Sequence, residues 1–296
     1  MANLKEIRTR IASVASTRQI TSAMKMVAAA KLKKAQDTVT NFRPYALKMH
    51  EIIMSVASSL GRAENNKYID DRDYHEVLIV VITSNRGLCG AFNSNIIKEA
   101  MQLAEKKYGN CPEPVTIRYM AIGKKGYDSL RKRNVLMEAT PNVDVIEHPT
   151  FENAGEVAQL LMDNFVSKRF DCIDLVYNEF INAASQKVIC KQFLPLIPED
   201  QHGKKDKTSK INYIFEPSKR KILNELIPQN LRIMVYGTLL DSIASEQGAR
   251  MTSMHQATDN ATTLIQDLTL QYNKARQAAI TNEILEIVGG AEALKG

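Results

Sequence analysis

Hydrophobic positions at the two ends of the chain recur in alternating steps of three and four. From Leu4 the row runs through Ile7, Ile11, Val14, Arg18, Thr21, Lys25, Ala28, Leu32, Ala35, Val39, Phe42, Ala46, Met49, Ile53, Val56 and Leu60, and only Arg18, Thr21 and Lys25 are not apolar. A seam sustained this long is a coiled-coil signature rather than that of a globular helix. It predicts one helix over about 3–60. Pro44 should bend that helix without ending it, because the row continues on both sides. The row stutters between Arg18 and Lys25, where Ile20, Met24 and Val27 are expected to carry the apolar face instead. At the other end, the stretch from about Leu231 to Leu294 contains no proline. There Ile265, Leu268, Tyr272, Ala275 and Ala279 form one row, and Ile280, Ile284, Ile287, Ala291 and Leu294 form a second, shifted by one. Helices this long would extend roughly 85 and 95 Å at 1.5 Å per residue. A globule of this chain length is narrower, so something outside the chain must surround or meet them. The expected packing is an antiparallel pair, with Ala28, Ala35, Ala261 and Ala275 letting the backbones approach closely.

The middle of the chain reads differently. Residues 61–74 are polar and rich in Gly, Asn and Asp, a linker. Val77–Thr83 is a continuous β-branched run of the kind a buried parallel strand carries. Further strands are expected at Val115–Ile122, Val143–Ile146, Cys172–Phe180, Val188–Ile197 and Ile211–Phe215, with helices over about 93–108, to Arg133, and over 153–168. Such alternation argues for a Rossmann-like, doubly wound α/β domain of about five strands. Residues 199–210 are a solvated loop, and helix resumes near Ser218, disturbed at Pro228. The chain therefore divides into an N-terminal coiled-coil helix (1–60), a linker (61–76), an α/β domain (77–216) and a C-terminal coiled-coil helix (217–296).

Composition narrows the functional classes. A net charge of +6 with a pI near 9.0 suggests an anionic partner. No run approaches the ~18 apolar residues that a membrane span requires, and MANLKEIRTR lacks the apolar core of a secretory signal. Cys89, Cys111, Cys172 and Cys190 are scattered, without CxxC or ligand-spaced His, and read as reduced structural thiols. The turn Ser84–Gly90 sits where a phosphate loop would, but neither GxxxxGK[ST] nor GxGxxG occurs in the chain, so it reads as a tight strand-to-helix turn. Gly123–Gly126 reads the same way. Cys89 as a nucleophile would need a nearby base, and the five His residues show no arrangement that supplies one. Asp70, Asp71 and Asp73 read as a charged surface linker. Neither a cofactor nor a metal is expected. The basic residues tell more: Arg8, Arg10, Arg18, Lys25, Lys31, Lys33 and Lys34 share the first helix, and Arg250, Lys274 and Arg276 the last. One-sign charge along a sustained coil suits an acidic partner. Nucleic acid is disfavoured because the basic stretches lack interleaved aromatics.

Three stretches carry a family resemblance: Leu4–Arg8 through Ile20–Lys31, the turn Ser84–Gly90 with Asn93, and the tail Ile280–Leu294. Glu246–Asn260 fits as well. In these, and over essentially its whole length, the chain resembles the gamma subunit of the F-type rotary ATP synthase. The resemblance implies an asymmetric central shaft inside a ring of three alpha and three beta subunits, with a foot that binds the epsilon subunit and the membrane rotor c-ring. It implies that ion-driven rotation is coupled to ATP synthesis or hydrolysis at the beta subunits, and that the chain itself carries no catalytic site. By the same resemblance, Met24 and Lys25 lie where the shaft passes the acidic catch loop of beta. Arg250, Gln277, Thr281, Glu283 and Glu286 match positions that touch that catch or take part in coupling.

The loop Glu199–Lys210 has no cysteine, which departs from the plant-type subunits and their thiol switch. A Met1 start without a transit sequence favours a bacterial protein, peripheral on the cytoplasmic face of the inner membrane. The competing reading is a coiled-coil adaptor with a nucleotide-binding α/β head.

Overall fold

The computed structural model describes residues 4–58, 67–69, 72–109, 111–140, 144–183, 185–196 and 219–293. Two helices dominate the chain: α1, Leu4–Ser58, and α5, Lys219–Ala293. Both run through their internal prolines, Pro44 and Pro228. The chain forms two compact units, Met1–Ala29 with Arg250–Gly296, and Ala30–Ala249.

The first unit is a pair of helical segments. Lys25 of α1 lies beside His255 of α5, and Thr21 lies beside Thr258. One number rises as the other falls, so the pair is antiparallel, as expected. Every member of the predicted α1 row in this unit is buried or half-buried, Arg18, Thr21 and Lys25 included. Its counterpart on α5 is Met254, Thr258, Ala261, Ile265, Leu268, Tyr272, Ala275 and Ala279. Ala28 and Ala261 are both buried in it.

The second unit is built on a four-stranded sheet with order β2-β1-β3-β4, where β1 is Glu76–Ile82, β2 Thr116–Ile122, β3 Cys172–Phe180 and β4 Gln186–Leu194. β1 runs parallel to β2 and β3, and β4 is antiparallel to β3. From Val77 onward β1 is apolar and buried because both its faces are covered. Leu78, Val80 and Ile82 join a core with α4 (Phe151–Val166) and the α5 residues Ile227, Leu231, Val235 and Leu239. Val77, Ile79 and Val81 join a core with α2 (Phe92–Leu103), the π-helical turn Ala104–Tyr108 that follows it, and α3 (Lys124–Arg131). α4 begins at Thr150, whose side chain accepts from the Asn153 N–H. On the α1 side of α5, Phe42 meets Tyr236 edge-on at 4.9 Å, and Arg43 pairs with Asp241 at 3.1 Å.

Two expectations are corrected. The sheet has four strands among the described residues rather than about five. Val145 and Ile146 belong to a turn closed by Asp144, whose Oδ1 accepts from the N–H groups of Ile146 and Glu147 at 3.2 and 3.0 Å. Ile211–Phe215 and the loop 199–210 lie outside the described residues. The sheet is also mixed, since β4 returns beside β3 after a connection of only a few residues (181–185). A parallel return would need a crossover of a dozen residues or more.

Candidate functional site

The seven positions singled out by resemblance, Met24, Lys25, Arg250, Gln277, Thr281, Glu283 and Glu286, all fall in the first unit. The structure separates them into two places. Met24, Lys25 and Arg250 are half-buried toward the end of the helical pair that is bounded by Ala29 and Arg250. Gln277, Thr281, Glu283 and Glu286 are exposed on the far part of α5.

The first place is the polar break in the seam. Coiled-coil spacing puts Arg18, Thr21 and Lys25 on the face of α1 that meets α5, whatever their chemistry, so this stretch must be joined by polar contacts. Thr21 Oγ1 donates to the Arg18 carbonyl at 3.1 Å. The Thr258 hydroxyl has Thr21 Oγ1 at 2.9 Å and the Met254 carbonyl at 2.7 Å, and it has one proton to share between them. Lys25 Nζ stands 3.5 Å from His255 Nδ1, which is itself 3.3 Å from Asp259 Oδ2. A neutral imidazole with its lone pair on Nδ1 accepts from Lys25, whereas a proton on Nδ1 donates to Asp259 instead. His255 and Asp259 were not anticipated from the sequence; their signal is the antiparallel register, which only the structure supplies.

The apolar stutter is corrected in part: Met24 is half-buried, but Ile20 and Val27 are not. Ile20 and Val27 are 58% and 57% exposed, so they face away from α5 and the regular row holds through the break. The polar residues stay in the seam, and two large aliphatic side chains are left on the outer surface. A three-four row follows helix geometry before it follows hydrophobicity.

The second place is the free end of α5. The register carries Leu4 to the level of Ala275. Beyond that level no described residue of α1 stands opposite, and every described side chain from Ile280 to Ala291 is exposed. Ile280, Ile284 and Ile287 of the second apolar row are 49%, 55% and 71% exposed. Thr281 Oγ1 donates back to the Gln277 carbonyl at 2.9 Å, a local bond within the helix.

The second unit offers two further polar sites. In the turn Ser84–Gly90, Asn93 of α2 reaches back: its Oδ1 accepts from the Ser84 N–H at 3.0 Å, and its Nδ2 contacts Cys89 Sγ at 3.3 Å. Ser84 Oγ closes on the Arg86 carbonyl at 2.7 Å, and Cys89 is buried. The turn spends these groups on itself. Gly123, at φ 107°, packs against the Thr83 carbonyl, where a Cβ would collide. The N–H groups that open α3 are taken by Asn85 Oδ1, the Ser84 carbonyl and Thr83 Oγ1.

The other site is a buried cluster. Lys107 Nζ bridges both oxygens of Asp174 at 2.9 and 3.0 Å, and also meets Gln192 Oε1 at 3.0 Å. Tyr108 donates to Asp174 Oδ2 at 2.6 Å. Burial pushes the Cys172 thiol beside them up to about 11, and Asp174 adds to the shift. Burial likewise raises the Tyr108 phenol well above its ordinary range, with the Asp174 carboxylate adding to it. Asp174 is enclosed by donors rather than open to a substrate, so the cluster reads as an anchor holding the π-helical turn onto β3 and β4.

Among the described residues, no group of His, Cys, Asp and Glu could hold a metal ion, and no helix is long and apolar enough to cross a membrane. Asp70 and Asp71 lie outside the described residues.

A family model described as ATP synthase matches residues 3–294. The chain is similar to the ATP synthase gamma chain of Flavobacterium psychrophilum, 54% identical over 297 residues and covering 100% of both chains. It is similar to that of Cytophaga hutchinsonii at 46% identity, covering 99% of each. Among solved structures, it resembles a chain of the central stalk and c-ring assembly of the Tetrahymena thermophila mitochondrial ATP synthase. That match has a TM-score of 0.56 and 28% identity, over 80% of this chain and 99% of that one. A chain of the Euglena gracilis mitochondrial ATP synthase in rotational state 3 gives a TM-score of 0.68 over 98% and 94%; at 23% identity it speaks to the fold alone.

Proposed function

Because this chain belongs to the ATP synthase gamma-chain family, we propose that it is the central rotor shaft of an F-type ATP synthase. It turns inside three alpha and three beta subunits, and its foot binds the epsilon subunit and the c-ring. The shaft couples ion flow to ATP synthesis or hydrolysis at the beta subunits and carries no catalytic site of its own. The complex places it, without inserting it, at the cytoplasmic face of a bacterial inner membrane.

The observation that carries this reading is the polar break at Arg18, Thr21 and Lys25, half-buried in the seam with His255 and Asp259 at its edge. A rotor needs contacts that break and re-form every turn. Exposed polar pairs of about 0.2–1 kcal/mol meet that need better than a deep apolar lock. In this reading Met24, Lys25 and Arg250 face the catch loop of beta, and Gln277, Thr281, Glu283 and Glu286 couple to the ring near the free end of α5. The competing reading, a coiled-coil adaptor with a nucleotide-binding α/β head, predicts uptake of labelled nucleotide by the isolated chain; the shaft reading predicts none.

Single-molecule rotation of a complex carrying Lys25→Glu is the test. Torque should fall, because the reversed charge repels an acidic catch. Unchanged torque would remove Lys25 from the coupling contact. Failure of the chain to co-purify with alpha and beta subunits would overturn the shaft reading itself.

A further inference from the structure

α3 carries an unusual charge. At 100° per residue, Lys124, Lys125, Arg131 and Lys132 fall within an arc of about 120° on its solvent face. All four are exposed, and Arg133 follows just beyond, also exposed. The arc holds one acidic residue, Asp128. None of the four cations makes an ion pair or a side-chain hydrogen bond among the described residues. The buried side of α3, Gly126 and Leu130, is committed to the domain core. A cavity of about 340 Å³ opens beside this face, at the carboxyl ends of β1 and β2. Asn85, Gly123, Lys124, Tyr127, Thr140 and Asp144 line it over an apolar floor of Ala121 and Ile122. The Asp144 carboxylate is already occupied by Asn85 Nδ2 and by the N–H groups of Ile146 and Glu147. Tyr127, which lines the cavity, is 40% exposed.

From this juxtaposition we propose that the α3 face and its cavity form a docking surface for an acidic segment of another protein, one that lays carboxylates along Lys125 and Lys132 and seats one apolar side chain beneath Tyr127. Charge complementarity selects the sign of the partner. The cavity selects its form. A headgroup layer would meet the cations and Asp128 alike and leave the cavity unfilled, and the apolar side of α3 is already used inside the domain, so nothing remains to insert into a bilayer. A peptide chain bends around Asp128 and supplies a side chain of the right size. The surface lies within the second unit and stands whether or not the shaft reading does.

The probe is a fluorescein-labelled peptide of about eight residues, glutamates and aspartates around one central leucine, titrated into the full-length chain. Lys125→Glu with Lys132→Glu should weaken binding by about tenfold or more. Replacing the probe's leucine by serine should weaken it by about tenfold. Equal affinity for the wild type and the double variant would overturn the proposal, as would equal affinity for the leucine and serine probes. Vesicles of mixed phosphatidylglycerol and phosphatidylcholine are the second arm. If they bind the chain, lose that binding in the double variant, and outcompete the peptide, the face is a lipid contact and the proposal is wrong. In the assembled complex, a photo-cross-linking side chain at Tyr127 should capture a segment rich in Asp and Glu; capture of a neutral or basic segment would also overturn it.

Discussion

Replacing Lys107 by Met tests whether the Lys107–Asp174 cluster anchors the second unit. The Asp174 side chain is 2% exposed, and Lys107 supplies a donor to each of its oxygens. Deleting one partner of a buried pair leaves an uncompensated charge and costs roughly 3–5 kcal/mol. Lys107 is 29% exposed, so water can enter from its end, and the lower figure of about 3 kcal/mol applies. Cys172 offers the assay, since its fully buried thiol contacts both Lys107 and Tyr108. It reacts with a thiol reagent only when this part of the sheet opens. A cost of about 3 kcal/mol raises that opening roughly a hundredfold. The labelling rate of the Cys172 peptide, followed by mass spectrometry, should rise accordingly. Combining Lys107→Met with Asp174→Leu removes the orphaned charge and should restore most of the protection. Unchanged labelling in the single variant, or no recovery in the double, would refute the reasoning.

Gly123→Ala should destabilise the second unit by about 2 kcal/mol or more, because the residue sits at φ 107° with the Thr83 carbonyl where the Cβ would be; urea unfolding measures it. Burial raises the pKa of Asp241 above its ordinary 3.8, with Arg43 opposing the shift. The native state therefore binds the proton more tightly than the unfolded chain does. This contribution to stability is fully present below pH 3.8 and is lost as pH rises through the raised native value. Asp241→Asn should flatten that slope in urea midpoints recorded against pH. Thr21→Val with Thr258→Val should replace the shared hydroxyl contact by an apolar one and leave the first unit equally or more stable, by up to about 1 kcal/mol, in thermal unfolding followed at 222 nm; a clear loss would mean the polar contact stabilises the pair.

How much could be read from sequence depended on what each pattern reports. The three-four row of α1 held from Leu4 to Ile53, polar members included, because it follows from helix geometry. The stutter holds at Met24, which is half-buried, and fails at Ile20 and Val27, because hydropathy alone cannot tell a buried face from an exposed one. β1 was legible as a run buried on both faces. The direction of β4 was legible only through the short connection, since a strand looks the same in either sense and 181–185 is too short for a parallel return. Val143–Ile146 has strand composition, but Asp144 closes Val145 and Ile146 into a turn, and Val143 lies outside the described residues. The Lys107–Asp174 pair was invisible because its partners lie far apart in the chain and meet through a π-helical turn that hydrophobic periodicity does not register. Of the candidate site, the positions were legible by resemblance. Their partners His255 and Asp259 were not.

The bare end of α5 has a thermodynamic consequence. Gly289 and Gly290 each cost the helix about 1 kcal/mol relative to alanine. Among the described residues nothing lies within 4 Å of a Cβ built at either one. A helical end of this length, with no tertiary partner among the described residues, is marginal in water. Ordering this segment and covering it are thus a single coupled equilibrium. Any surface that closes over Ile280, Ile284 and Ile287 gives up part of its binding free energy to hold the helix in place, and its measured affinity understates the contact it makes. Helix-favouring substitutions at the two glycines should then tighten association without adding a contact, unless the covering surface comes so close that a methyl group no longer fits.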